Sequence, residues 1–206
     1  MDKDRKDQLP FRRFVEGLHE PTRTISLGFE TSKEEESAGA LNNTSVTRFL
    51  ENLHSLDSIN HQAINIKMSC IGGDVYLGLA VFDAIRHCKS QIHMTVYGPC
   101  FSMGVAILQA ADRRIMMPYS TLMIHAGTAS IPDGHPKDVA AEAEENKRLD
   151  KIYCEILSER SGTSMKEVEE MCTFARYIDP KEAVSLGLAD EVYGRGRPKK
   201  WKAKKR

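Results

Sequence analysis

The chain of 206 residues lacks any run of 18 apolar residues, so no segment reads as a membrane-spanning helix. Its opening stretch, MDKDRKDQLPFRRF, mixes both charges and has none of the apolar core that a secretory leader needs. Cysteine is sparse and odd in number: Cys70, Cys88, Cys100, Cys154 and Cys172 are scattered, and no Cys-x-x-Cys pair occurs. The seven histidines are equally dispersed and form no His-x-x-x-His pair, so no metal signature is present. No Gly-Lys-Ser/Thr follows a glycine turn, so there is no phosphate loop of the Walker type. These absences predict a cytoplasmic protein with reduced thiols, no metal and no cofactor.

What remains is the composition of an ordinary globular chain, 41% hydrophobic and 28% charged, long enough for one self-sufficient core. The net charge of zero hides a split, because residues 195–206 hold eight basic side chains and no acidic one. The other 194 residues therefore carry 21 basic against 29 acidic groups, a net of −8. We expect three parts: a flexible arm at 1–22, broken by Pro10 and Pro21, a folded domain at 23–194, and a basic tail at 195–206. Such a tail is either a solubilising end or an element that holds nucleic acid or another acidic surface.

Within the domain, strand and helix patterns alternate. Residues 23–29, 63–68, 92–97, 114–117 and 121–124 read as strands. Residues 45–53, 75–86 and 102–111 have helical spacing, and 136–161 is a long helical pattern. Ser164 and Glu167 form a capping box, and Asp179 followed by Pro180 opens a last helix that stops at Gly187. Residues 30–43 read as a loop or helix start. The alternation predicts βαβ units and an α/β class.

Three segments could carry chemistry. Gly72-Gly73 lies between a strand and a helix, where glycines let backbone N–H groups approach a ligand; a plain tight turn is the simpler alternative. Ser102 follows the Gly98-Pro99 turn and begins a helix, in the positive field of its N-terminus. It is either an elbow nucleophile or a helix cap. His125 ends a strand and is placed to act as the base for Ser102, or is structural.

In this order the segments SCIGGDVYLG, FSMG and MIH resemble the proteolytic subunit of the Clp protease, the ClpP family, and KEAVSLGLADEV at 181–192 adds to the likeness. The similarity runs from about Arg23 to Tyr193. It implies a ClpP/crotonase-like α/β spiral of repeated ββα units with a long protruding helix. It implies a serine endopeptidase with Ser102 as nucleophile, His125 as general base, and the backbone N–H groups of Gly73 and Met103 as the oxyanion hole. It also implies a homo-oligomer, heptameric or double heptameric, that digests unfolded polypeptides delivered by a hexameric Clp ATPase.

The chain departs from the family pattern in four places. Ile71 stands where the family has proline, Ala126-Gly127 follows His125, and TASIPDGHP lacks the family's glycine-rich run. Ala175 occupies the place of the triad aspartate. Asp179 is the nearest acid to take over, although helix capping competes for it; Glu169 and Glu170 are weaker candidates, and an introduced substitution at 175 is the remaining alternative. A catalytically weak or inactive ring subunit is therefore the competing function. The crotonase enzymes of the same fold use acidic catalytic residues, and the SppA peptidases a Ser–Lys dyad; the FSMG and MIH segments argue against both.

Overall fold

Strand β4 (Ile64–Cys70) buries Ile64, Ile66, Met68 and Cys70 while Asn65 and Lys67 point to solvent. The same alternation places Ile25 and Leu27 of β2 (Thr24–Leu27) and Ile92, Met94, Val96 and Cys100 of β6 (Ile92–Phe101) on the inner face. One side of the sheet is packed and the other is wet. The computed structural model describes residues 17–29, 39–127 and 135–194. Within them β2, β4, β6, β7 (Arg113–Met116) and β10 (Glu191–Val192) run parallel in that spatial order, with β1 (Leu18–His19) antiparallel at the edge. Apolar residues of α1 (Asn43–Ile59), α2 (Val75–His87) and α3 (Met103–Gln109) close one core with the inner strand residues. All seven residues of α3 are buried, which fits its run of small and apolar side chains. This is the mixed α/β class that the alternation predicts.

The sequence predicts that the third long strand stops at Tyr97. Instead β6 continues to Phe101 and changes neighbours on the way. Its first half pairs with β7 as far as Val96, and Pro99–Phe101 pair with β8 (Thr121–Ile124). Gly98, at φ +71°, supplies the bend between the two pairings. This switch brings Ser102, the residue after β6, alongside β8, where its N–H donates to the Met123 carbonyl. A further antiparallel strand, β9 (Arg176–Ile178), lies against β8. Its three residues are too few for periodicity to reveal.

Helix ends follow their cap residues. Asn42 caps α1 in a reciprocal box with Ser45, which starts that helix earlier than its apolar spacing indicates. Helix α4 (Pro136–Ser161) has the predicted bounds, and its only buried residues are Leu149, Tyr153, Cys154 and Leu157. Its first half thus stands off the core, held by the Tyr76 hydroxyl, which donates to Glu145 at 2.9 Å. Helix α5 (Met165–Cys172) opens on the Ser164–Glu167 box, and α6 (Pro180–Ser185) opens on Asp179.

Gly72-Gly73 is not only a turn: it forms a two-residue strand, β5, paired in parallel with β3 (Ala40–Leu41). Of the arm expected at 1–22, residues 17–22 hold β1 and a short 3-10 turn at Glu20–Thr22; residues 1–16 lie outside the described residues, as does the basic tail at 195–206. The C-terminal segment is fastened by Arg114, whose side chain is 5% exposed and pairs with Asp190. The same guanidinium donates to Gln109 Oε1 at 2.6 Å and to the Gly187 carbonyl at 2.8 Å. Burial alone would raise the Asp190 carboxyl, but bonds from the Arg114 side chain and backbone hold it below its ordinary value.

Candidate active site

Ser102 sits between the end of β6 and the start of α3, with φ +52° and ψ −125°. A non-glycine residue held there stores on the order of 1–3 kcal/mol of backbone strain. The strain is held in place from two sides. Its N–H donates to the Met123 carbonyl at 2.7 Å, and its carbonyl accepts from the Tyr153 hydroxyl at 3.3 Å. Burial pushes the Tyr153 phenol well above its ordinary value, so it remains a neutral donor. The Ser102 side chain makes no capping bond to α3, which sets aside the helix-cap alternative.

Its Oγ instead meets His125 Nε2 at 2.9 Å. His125 directly follows β8, and both residues are half-buried. A hydroxyl bonded to an imidazole, at the N-terminus of a buried helix, can pass its proton and attack a carbonyl. Cys70 and Cys100, two residues before Gly72 and Ser102, are not rival nucleophiles. Burial raises the Cys70 thiol to about 11, and burial also holds Cys100 well above its ordinary value, so both stay protonated at neutral pH.

Gly72 and Gly73 form the opposite wall, at φ +93° and +139°. A Cβ on Gly72 would lie 2.8 Å from Ser102 Cβ, 3.0 Å from the Phe101 carbonyl and 3.4 Å from the Met103 nitrogen. A Cβ on Gly73 would strike the Leu41 backbone at 2.7 Å. Bare backbone at Gly72 therefore leaves room beside Ser102 and the Met103 N–H, and at Gly73 it permits the close pairing with Leu41. Met103 itself is the first residue of α3, where N–H groups have no partner within the helix.

The β8–β9 ladder ends at the Ile124–Arg176 pair, and His125 directly follows β8 while Ala175 directly precedes β9. The methyl group of an alanine can neither accept a hydrogen bond from an imidazole nor bear charge. Among the described residues, Ser102 Oγ is the single hydrogen-bond partner of the His125 ring. Asp179 does not take the role: its Oδ1 accepts from the N–H groups of Lys181 and Glu182 as the cap of α6. Glu170 faces Lys166, 3.8 Å away on the exposed side of α5.

Sequence reasoning missed the residues that fix the His125 loop. Ala126 N donates to the Cys172 carbonyl at 2.7 Å, and Gly127 N donates to Asp150 Oδ1 at 2.8 Å. Asp150 and Tyr153 are three apart on α4, hence on one face, but nothing in the helix pattern marks them as site residues. The neighbouring Cys154 thiol, together with burial, holds the Cys172 thiol above its ordinary value. Phe101 and Tyr177 stack edge to face at 5.8 Å, tying β6 to β9 beside the serine. Among the described residues no cluster of three or more His, Cys, Asp or Glu could hold a metal ion, and no helix is long and apolar enough to cross a membrane.

Comparison with known proteins bears on this arrangement. The family model described as Clp protease matches residues 36–196. The chain is 32% identical over 140 residues to an ATP-dependent Clp protease proteolytic subunit of Deinococcus radiodurans, covering 66% of this chain and 68% of that protein. It is 31% identical over 134 residues to the corresponding subunit of Chlorella vulgaris, with 64% and 66% covered. It is 31% identical over 137 residues to proteolytic subunit 1 of Salinibacter ruber, with 66% and 58% covered. The matched segment thus spans 58–68% of these relatives' lengths. In fold, a ClpP1 mutant from Listeria monocytogenes superposes with a TM-score of 0.73 at 24% identity, covering 85% of this chain and 94% of that one. With a family match over most of its length, and the expected α/β spiral around the serine, the chain belongs to the Clp protease family.

Proposed function

We propose that the chain is a serine endopeptidase subunit that cleaves unfolded polypeptides inside a closed ring of its own copies. The observation that carries this reading is the 2.9 Å bond from His125 Nε2 to Ser102 Oγ on a strained turn. Ser102 Oγ attacks the scissile carbonyl as His125 takes its proton. The tetrahedral oxyanion is held by the N–H groups of Gly73 and Met103, each of which contributes about 3 kcal/mol in comparable sites. His125 then protonates the leaving amine, the acyl-enzyme forms, and water activated by the same imidazole releases it.

The ring, heptameric or double heptameric, and feeding by a hexameric Clp ATPase belong to the same proposal. Both are supported by family membership and by a sequence with no phosphate loop of its own. Five free thiols support a reducing, cytoplasmic setting.

Ala175 favours a second reading, a ring subunit with little activity. Spoiling the acid of a serine triad costs about 10⁴ in turnover while leaving catalysis above that of water. The two readings part on one assay: hydrolysis of a fluorogenic peptide and of an unfolded protein by the assembled chain, with its mass measured in native conditions. Slow hydrolysis that disappears in Ser102→Ala supports the peptidase. A ring with no serine-dependent hydrolysis supports the structural subunit.

A further inference from the structure

Position 175 is alanine, so it offers no carboxylate to orient the imidazole, yet His125 Nε2 lies 2.9 Å from Ser102 Oγ. The loop that carries the ring is what is held. Two successive N–H groups after His125 are bound, Ala126 to the Cys172 carbonyl at 2.7 Å and Gly127 to Asp150 Oδ1 at 2.8 Å. The first bond is main chain to main chain and is available to any sequence. The second needs a particular side chain, and a Cβ on Gly127 would lie 2.8 Å from that same oxygen, so the contact is fitted to glycine. One turn further along α4, Tyr153 holds the Ser102 carbonyl at 3.3 Å. A single helix face thus grips both halves of the Ser–His pair.

We propose that Asp150 is a positioning residue for His125, fixing through the main chain the ring that the missing acid would fix directly. The inference rests on the peptidase reading above. It acts by hydrogen-bond acceptance at the Gly127 N–H, so an amide in its place serves as well as a carboxylate.

The test is steady-state peptide hydrolysis by the assembled chain, with Asp150→Ala and Asp150→Asn each made in the parent and in the Ala175→Asp background. Asp150→Ala lowers kcat about 10- to 100-fold in the parent with KM little changed, as a misplaced base does. Asp150→Asn stays within about threefold of its parent, since its Oδ1 still accepts the bond. In the Ala175→Asp background the acid orients His125 directly, so Asp150→Ala costs less than about threefold, and the cycle is non-additive. Should Asp150→Ala fail to fold, Asp150→Ser, polar but too short to reach the Gly127 N–H, carries the comparison.

Parent-like turnover in Asp150→Ala overturns the proposal, and so does an equal loss in both backgrounds, which marks a purely structural clamp. Absence of serine-dependent turnover in the parent and in Ala175→Asp alike removes the peptidase reading and this inference with it.

Discussion

At the scale of single residues, the account rests on backbone that only certain side chains permit. Ser102 holds φ +52° because Met123 and Tyr153 bind its N–H and carbonyl. Gly72 tolerates no Cβ, since one would stand 2.8 Å from Ser102 Cβ. Gly72→Ala is expected to lower kcat/KM at least about tenfold and to destabilise the fold by about 1–3 kcal/mol, read from peptide hydrolysis and chemical unfolding. Activity and stability both equal to the parent's would contradict the geometry. Ser102, His125 and the Gly72-Gly73 pair were all legible in the sequence, because residue type and motif order survive without coordinates. Ala175 was legible as well, and it directly precedes β9, the strand paired with β8. Asp150 was not, because its partner is a backbone N–H on another element, 23 residues away.

At the scale of elements, cap residues were the most readable features and strand limits the least. Asp179 is the informative case, being both the nearest acid to position 175 in sequence and the cap of α6. Asp179→Ala is expected to cost about 1 kcal/mol of stability with turnover almost unchanged, as loss of an N-cap does. A drop of several orders of magnitude in kcat, with stability preserved, would make Asp179 the triad acid instead. The course of β6 past Tyr97 was hidden for a physical reason. Gly98 and Pro99 are turn residues in most settings, but here Gly98 lets one strand leave β7 for β8. No local pattern records which neighbour a strand will find. Strands β3, β5, β9 and β10 are two or three residues long and owe their existence to tertiary pairing.

At the scale of the whole molecule, the α/β class was legible from alternation, whereas the fastening of the C-terminal segment was not. Arg114 is almost fully buried against Asp190, whose carboxyl is held below its ordinary value. A carboxyl depressed in the folded state stabilises above its unfolded value of about 4, and that contribution is lost as pH falls through the lower folded value. Asp190→Asn is therefore expected to lower the melting temperature at pH 7 and to converge on the parent as the medium is acidified below about pH 4. A constant difference at every pH would point to packing rather than charge. The claim on which all scales converge is that Ser102 is an activated nucleophile despite Ala175. A fluorophosphonate probe tests it directly, applied to the chain, to Ser102→Ala and to Ala175→Asp. The account predicts slow labelling of the chain that vanishes in Ser102→Ala and accelerates in Ala175→Asp. Labelling that persists in Ser102→Ala, or that is absent from the chain and appears only in Ala175→Asp, would contradict it.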